Sequence, residues 1–290
     1  MKILILGGDG MLGHQLLDYL SARYNVWATL RNDPGNYLAF TQFNEKNTIF
    51  DVEVSSTDVL EKIIVDVEPD VVINCVGIVK QRKEAKDAVE SIKINSLLPH
   101  QLSLTCEKYG ARLIQISTDC VFTGVKGGYV EADIPDAADI YGRSKLLGEV
   151  TTGNSITLRT SIIGLELARK QGLIEWFLAQ HGTIHGYSNA IFTGFTTLEL
   201  ASIIDALITK HPSLSGLWHV SSNSINKYQL LCDLALKLDR KDIEILEDKE
   251  FQCDRSLNAS KFNIATGYMP PSWDEMLDKL AAQIKNQKSK

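Results

Sequence analysis

No stretch of this sequence approaches the roughly 20 apolar residues needed to cross a bilayer. The opening apolar run, Ile3 to Leu6, gives way to glycines too soon for a secretory signal, and no small-residue cleavage site follows. Cysteine is scarce. Cys75, Cys106, Cys120, Cys232 and Cys253 make five, an odd number without a CxxC spacing. That argues against a disulfide framework or a zinc site and fits reduced thiols of an intracellular protein. Basic charge is not in excess, with 30 Lys and Arg against 36 Asp and Glu, a net −6. General binding to nucleic acid or to an anionic membrane is thereby disfavoured. A phosphate-bearing small ligand is not, because helix N-termini and single arginines bind phosphate in acidic proteins. No ligand cluster has metal-site spacing, so no metal is expected within the chain, and a metal at a subunit interface is left open. No repeat or low-complexity tract interrupts the chain before a lysine-rich tail. What remains is a cytoplasmic α/β protein whose 44% hydrophobic residues over 290 positions supply an ample core.

Short β-rich runs alternate with helical patterns through the first half, the signature of βαβ units on a parallel sheet. Strands are expected at 2–6, 26–30, 48–50, 71–75, 112–116 and 155–158, and helices near 12–22, 58–65, 88–109 and 141–152. The run Val71-Val72-Ile73-Asn74-Cys75 lacks polar alternation, as a strand buried on both faces should. After about Gly164 the rhythm changes to helices near 173–180, 198–209, 227–238 and 273–286 with short strands between. The expected architecture is a Rossmann-type doubly wound parallel sheet with a smaller, C-terminally weighted α/β substrate lobe. Residues 1–165 with about 190–210 would form the nucleotide-binding domain, and about 166–189 with 211–290 the lobe.

The first strand runs into Gly7-Gly8-Asp9-Gly10-Met11-Leu12-Gly13, a GxxGxxG placed between strand and helix. Such a loop needs glycine for a tight turn, for close approach to a pyrophosphate and for helix–strand packing. Gly7, Gly10, Met11, Leu12 and Gly13 are therefore candidate cofactor residues, with the positive end of the helix facing the phosphates. The second strand ends without the acid that NAD-binding folds place there, and continues into Arg31. An arginine at that point meets a 2′-phosphate, with Thr29 adding a hydroxyl, so NADPH is the expected cofactor, with NADH also admitted.

Tyr141-Gly142-Arg143-Ser144-Lys145 sets a tyrosine and a lysine on one helical face at i and i+4. A nearby ammonium and cofactor bring a phenol closer to the range of proton exchange at neutral pH. Ser117-Thr118-Asp119 falls at the carboxyl end of the fifth strand, where ligands of open α/β sheets bind. A hydroxyl there can bond a substrate carbonyl and stabilise the alkoxide that hydride transfer creates.

These pieces together resemble the extended short-chain dehydrogenase/reductases, and within them the dTDP-4-dehydrorhamnose reductase group. The resemblance rests on residues 7–13, Ser117-Thr118-Asp119 with Val121-Phe122, Tyr141-Gly142-x-Ser144-Lys145 with Gly148-Glu149, and Leu158-Arg159-Thr160-Ser161. A late segment, Arg255-Ser256-Leu257-Asn258 with Ser260-Lys261, Gly267, Pro270 and Trp273, extends it over nearly the whole chain. It implies NADPH-dependent reduction of the 4-keto group of a nucleotide-activated 6-deoxy-4-ketohexose, in deoxysugar and surface polysaccharide precursor synthesis. Tyr141 would supply the proton, Thr118 bond the same oxygen, and Lys145 bind the nicotinamide ribose. Asn95 would support the proton relay, and Asp51, Val52, Cys75, Val76 and Gly77 would line the cofactor. Lys80 (with Gln81 and Arg82), Asp119, Cys120 and Arg255 are expected on the substrate side, with Trp176 and Trp273 either stacking on the substrate or filling the core. The nucleotide sugar is the expected partner, and a homodimer remains open.

Two departures from the family's wording leave alternatives. Cys120 stands where an aromatic residue is common, as in epimerase–reductases that use a cysteine next to the ketone. The segment Ala190–Thr197 also differs, which suggests a related sugar rather than the rhamnose precursor itself. A 4,6-dehydratase is disfavoured because Cys120 replaces the glutamate it needs after Thr-Asp. A non-catalytic NADP-binding subunit, of the kind that regulates methionine adenosyltransferase, is the alternative outside enzymes.

Overall fold

Branched apolar residues dominate the expected strands, and in the computed structural model, which describes residues 1–79, 87–168 and 170–288, they form one large sheet. The elements in chain order are β1 (Lys2–Leu6), α1 (Met11–Ser21), β2 (Asn25–Thr29), β3 (Thr48–Ile49), α2 (Thr57–Val67), β4 (Val71–Asn74), α3 (Ala88–Ser91) and α4 (Leu98–Lys108). There follow β5 (Arg112–Ile116), α5 (Ile140–Leu147), β6 (Ile156–Arg159), β7 (Ile162–Ile163), α6 (Leu173–Leu178), β8 (Gly182–Phe192), β9 (Phe195–Thr196) and α7 (Thr197–Thr209). The last are β10 (Gly216–His219), β11 (Ile225–Asn226), α8 (Lys227–Lys237), β12 (Ile243–Asp254), α9 (Ser260–Thr266) and α10 (Trp273–Lys288). Among these residues, no helix is long and apolar enough to cross a membrane.

The large sheet has the order β3-β2-β1-β4-β5-β6-β10, and every pairing in it is parallel. Strand order reverses between β1 and β4, which opens the crevice where doubly wound sheets bind nucleotides. Ile3, Ile5, Ala28 and Ile73 face a core shared with α1 and α7, whereas Leu4, Leu6 and Val72 face α2 and α4. Burying both faces removes any need for polar alternation, which is why these strands read as continuous apolar runs.

A smaller sheet, β11-β8-β12, carries α8 against β8. Residues 216–219, expected in the lobe, instead form β10 and pair with β6 at the edge of the large sheet. The sequence around Trp218 is short and flanked by loops, so nothing local assigns it to one sheet or the other.

The expected helix over 88–109 is broken. Ala88–Ser91 is α-helical, Ile92–Leu97 winds as a π-helix, and α4 resumes at Leu98. Pro99 supplies the physical reason. It has no N–H to give the Asn95 carbonyl four residues back, and Gly148 packs directly against that carbonyl oxygen.

Candidate active site

The carboxyl ends of β1, β4, β5 and β6 open into one cavity of about 980 Å³ that continues between the large sheet and the smaller lobe. Gly7 takes φ +78°, a left-handed conformation natural to glycine. Gly13 packs against the Gly7 backbone, where a Cβ would meet the carbonyl oxygen. The close approach keeps Gly13 behind the loop, so it does not line the cavity, whereas Gly7, Gly10, Met11 and Leu12 do. Gly10 caps α1 without a side-chain bond, and the first turn carries no acid. The N–H groups of that turn are thus left for a ligand, and the helix dipole favours an anion there. Gly77 adds to the cradle: a Cβ there would make only ordinary contacts, 3.4 Å from Asn95 Oδ1 and 3.9 Å from Lys145 Nζ. The residues present therefore fit a dinucleotide, with its pyrophosphate on the glycine loop and its ribose beside Gly77.

Beyond the glycine loop, towards the end expected to take the adenosine, Arg31 and Val52 line the cavity. Thr29, expected to help with a 2′-phosphate, lines the cavity beside Arg31 and accepts from Gly7 N at 3.3 Å, which also braces the glycine loop. Asp51 is exposed with φ 56° and does not line the cavity; Glu53 does. Two bonds from Ser55 hold the Glu53 carboxyl below the usual carboxylate range, and the charge of Arg31 acts in the same direction. Asp9 lines the cavity and accepts from Tyr37 Oη at 3.1 Å.

At the centre, Asp139 caps α5 by accepting from Gly142 N, which fixes the turn bearing Tyr141. Thr118 lies within hydrogen-bonding reach of the Tyr141 phenol. Its hydroxyl accepts from Cys120 N at 3.1 Å and donates to Asp119 Oδ1 at 3.2 Å. Burial pushes the phenol well above its ordinary value, and the neighbouring Cys120 and Asp119 add to the rise. The Lys145 ammonium donates to the Ile116 carbonyl at 2.6 Å, and burial pulls it down to about 8. The Lys145 ammonium is turned towards Ile116 and Gly77, and burial of the phenol outweighs the lowering of Tyr141 that the sequence led one to expect.

Asn95 is buried behind the cavity wall rather than on it. Its Oδ1 accepts from Ile78 N at 2.9 Å, and its Nδ2 donates to Ile78 O and Ser144 Oγ. It thereby staples the loop holding Cys75, Val76 and Gly77, all three of which line the cavity, to α5. Cys75 is pushed up to about 12 by burial.

Towards the lobe, Asp119, Cys120 and Arg255 share the cavity wall with Lys227, Cys253 and the segment Ala190–Phe192. Arg255 Nε donates to Phe122 O at 2.8 Å, which fixes the guanidinium stem. Burial raises Asp119, against the opposing charges of Arg255 and Lys227. The Cys120 thiol is pushed up to about 12 by burial and by Asp119, so it is protonated at neutral pH. Lys80, Gln81 and Arg82 lie outside the described residues. Trp176 stands at the surface away from the cavity, while Trp273 packs on Phe192 and donates to Asn223 O at 2.7 Å, a core role. Sequence reasoning missed Glu53, Lys227 and Cys253. Among the described residues, no group of three or more His, Cys, Asp or Glu is arranged to hold a metal.

Fold and site together define a dinucleotide-dependent oxidoreductase with a tyrosine–lysine couple. The chain belongs to the RmlD substrate binding domain family, whose match extends over residues 1–286. It is 28% identical over 166 residues to a dTDP-4-dehydrorhamnose reductase of Burkholderia thailandensis, an alignment covering 56% of this chain and half of that protein. It is 27% identical over 251 residues to the bovine (Bos taurus) methionine adenosyltransferase 2 subunit beta, covering 81% of this chain and 71% of that one. In fold it is similar to dTDP-4-dehydrorhamnose reductase of Bacillus anthracis, solved in complex with NADP, with a TM-score of 0.80 and 20% identity over 97% of this chain and 99% of that chain.

Proposed function

We propose that the protein is an NADPH-dependent reductase of the 4-keto group of a nucleotide-activated 6-deoxy-4-ketohexose, acting in deoxysugar precursor synthesis in the cytoplasm. One observation carries this reading: Thr118, Tyr141 and Lys145 meet in the cavity that the glycine cradle also lines. NADPH, when bound, supplies the hydride; Gly7, Gly10, Met11, Leu12 and Gly77 would hold it, with Arg31 at its 2′-phosphate.

The protein's own groups handle the proton and the charge. Because burial raises its pKa, Tyr141 is a neutral phenol at working pH, the state a proton donor to the carbonyl oxygen requires. Thr118 offers a hydroxyl to that oxygen as negative charge develops on it. Lys145, cationic at neutral pH, favours the phenolate left after the transfer. Arg255 and Lys227 suit a diphosphate, the guanidinium through its planar fork and the ammonium as a point charge.

The epimerase–reductase alternative needs an acid and a base around the carbon next to the ketone. Cys120 is a protonated thiol, and among the described residues no histidine lines the cavity. Simple reduction is therefore the better supported chemistry. The similarity to the methionine adenosyltransferase subunit covers more of the chain than the Burkholderia match, and it supports a second reading as an NADP-binding partner subunit. NADPH oxidation against a panel of 4-keto-6-deoxy sugar nucleotides separates the two. Rapid oxidation with one nucleotide is expected, whereas saturable NADPH binding without turnover on any of them would establish the subunit instead.

A further inference from the structure

Behind Thr118 and Lys145 sits a buried ion pair that the chemistry above leaves unused. Glu149 lies just beyond the last turn of α5, which ends at Leu147, and its charge acts on the Lys145 ammonium. Arg159, at the end of β6, meets that carboxylate with two bonds, Nε to Oε1 at 2.8 Å and Nη2 to Oε2 at 2.7 Å. The two side chains are only 3% and 6% exposed. An ion pair this dry gains little over apolar packing, so stability alone does not account for it.

Each end of the pair is tied to something specific. On the catalytic side, Ser117 Oγ donates to Glu149 Oε1 at 2.6 Å, and Ser117 immediately precedes Thr118. On the other side, Arg159 Nη1 lies 3.2 Å from His219 Nε2. A guanidinium only donates, so Nε2 accepts and Nδ1 carries the hydrogen. That hydrogen goes to Tyr129 O at 2.9 Å, which makes His219 neutral, the state that its burial also favours. Tyr129 stacks on Phe122 at 4.0 Å, donates its N–H to Ser256 O and accepts from Asn258 N. A continuous set of contacts thus joins the Thr118 turn to the segment that carries Arg255.

We propose that Glu149 is a positioning residue of this active site, fixing the Ser117–Thr118 turn and giving the Lys145 ammonium a buried countercharge, with Arg159 and a neutral His219 holding the carboxylate in place. The groups facing Lys145 support the second role. Cys75 comes from the end of β4, the Ile116 carbonyl from β5, Gly77 and Asn95 lie alongside, and Glu149 follows α5. The Cys75 thiol, at about 12, is neutral at working pH, and the carbonyl and amide do not titrate. Glu149 is the charge that opposes the effect of burial on Lys145.

The proposal rests on the reductase reading, so its test includes a readout that needs no turnover. The protein is labelled with ¹³C-lysine and the Lys145 Cε resonance is followed against pH in three forms: wild type, Glu149→Gln, and Glu149→Gln/Arg159→Gln. The double variant removes both charges and leaves no unpaired guanidinium. A fall of about one unit or more in the Lys145 midpoint is expected in Glu149→Gln, and a smaller fall in the double variant, where the more distant opposing charge of Arg159 is gone as well. The alkaline edge of kcat should fall with it while the NADPH Kd stays within about threefold, and Glu149→Asp should restore part of the edge. An unmoved midpoint in the folded double variant overturns the countercharge role, whether or not the wild type turns over any sugar. Ser117→Ala deletes one hydroxyl without burying a charge, so it tests the turn even if the other variants do not fold. A kcat lowered about fivefold with unchanged NADPH affinity is expected there, and wild-type kcat overturns the positioning of Thr118.

Discussion

Gly10 and Gly13 belong to one loop, yet alanine at each should fail for a different reason. At Gly13 the added Cβ would meet the Gly7 carbonyl oxygen and stand 2.9 Å from Gly7 C and 3.0 Å from Gly8 Cα. All three are backbone atoms, so relief requires moving β1 against α1, and overpacking of this kind costs about 1–3 kcal/mol. For chains of 150–250 residues each kcal/mol moves Tm by about 2–4 °C, which gives a drop of several degrees for Gly13→Ala. At Gly10 the Cβ would meet only the Gly7 carbonyl oxygen, at 3.3 Å, with φ at −73°. The fold should tolerate it within about 1 kcal/mol, but the methyl would fill the open face of the cradle. Thermal melting followed by circular dichroism and NADPH titration by fluorescence separate the two effects. Gly10→Ala should keep its Tm within a few degrees and lose NADPH affinity by tenfold or more, roughly 1.4 kcal/mol. Wild-type NADPH affinity in Gly10→Ala would refute the placement of the pyrophosphate on this loop.

Arg31→Ala should lower kcat/KM for NADPH about tenfold or more and leave NADH within about threefold, since only the 2′-phosphate loses its partner; parallel losses with both cofactors would remove Arg31 from the selectivity. Tyr141→Phe should reduce kcat by about 100-fold or more with NADPH binding intact, and near-normal turnover would end its assignment as proton donor. Lys145 is held near 8 in the fold, below its ordinary value, so the folded chain releases that proton before the unfolded chain does. Wild-type stability relative to Lys145→Met should therefore rise by about 1 kcal/mol between pH 7 and 9 in cofactor-free urea titrations. Buried thiols, raised to about 12, act in the opposite direction as the unfolded thiols titrate, and the comparison with Lys145→Met subtracts that shared effect; parallel curves for the two proteins would contradict the depression. Cys120→Ala should keep reduction within about threefold and leave the carbon beside the ketone unexchanged in deuterated water, as in wild type. Deuterium incorporation that the variant abolishes would instead establish the epimerase–reductase.

The parts of the fold that were legible are those where a local pattern has a single physical solution. Unalternating apolar runs such as Val71–Asn74 have no use outside a sheet covered on both faces, and the glycine loop fits only between such a strand and a helix. The π-turn at Ile92–Leu97 was hidden because its cause is split between Pro99 and Gly148, 49 residues further on. A short strand around Trp218 was legible, but its sheet was not, because pairing with β6 across some 60 residues leaves no local trace. The same reasoning covers the site. Thr118, Tyr141 and Lys145 were visible because strand ends and a helical i, i+4 spacing place them. Lys227 opens a helix that reads only as amphipathic, and it reaches the cavity because β11 and β8 carry it there.

The charge of the molecule is resolved by the same placement. A chain of net −6 is at first sight poorly suited to the two proposed ligands, each of which carries a diphosphate. Three of its cations, however, line one cavity, Arg31 at the end proposed for the adenosine and Arg255 with Lys227 towards the lobe. Each end also holds a carboxylate, Glu53 at the first and Asp119 at the second, acting on those cations. A carboxylate there offsets part of the desolvation cost of its cations before a ligand arrives, and it weakens the field felt by simple anions. Acidic composition and anionic ligands are compatible because the relevant quantity is the local field in the cavity rather than the net charge.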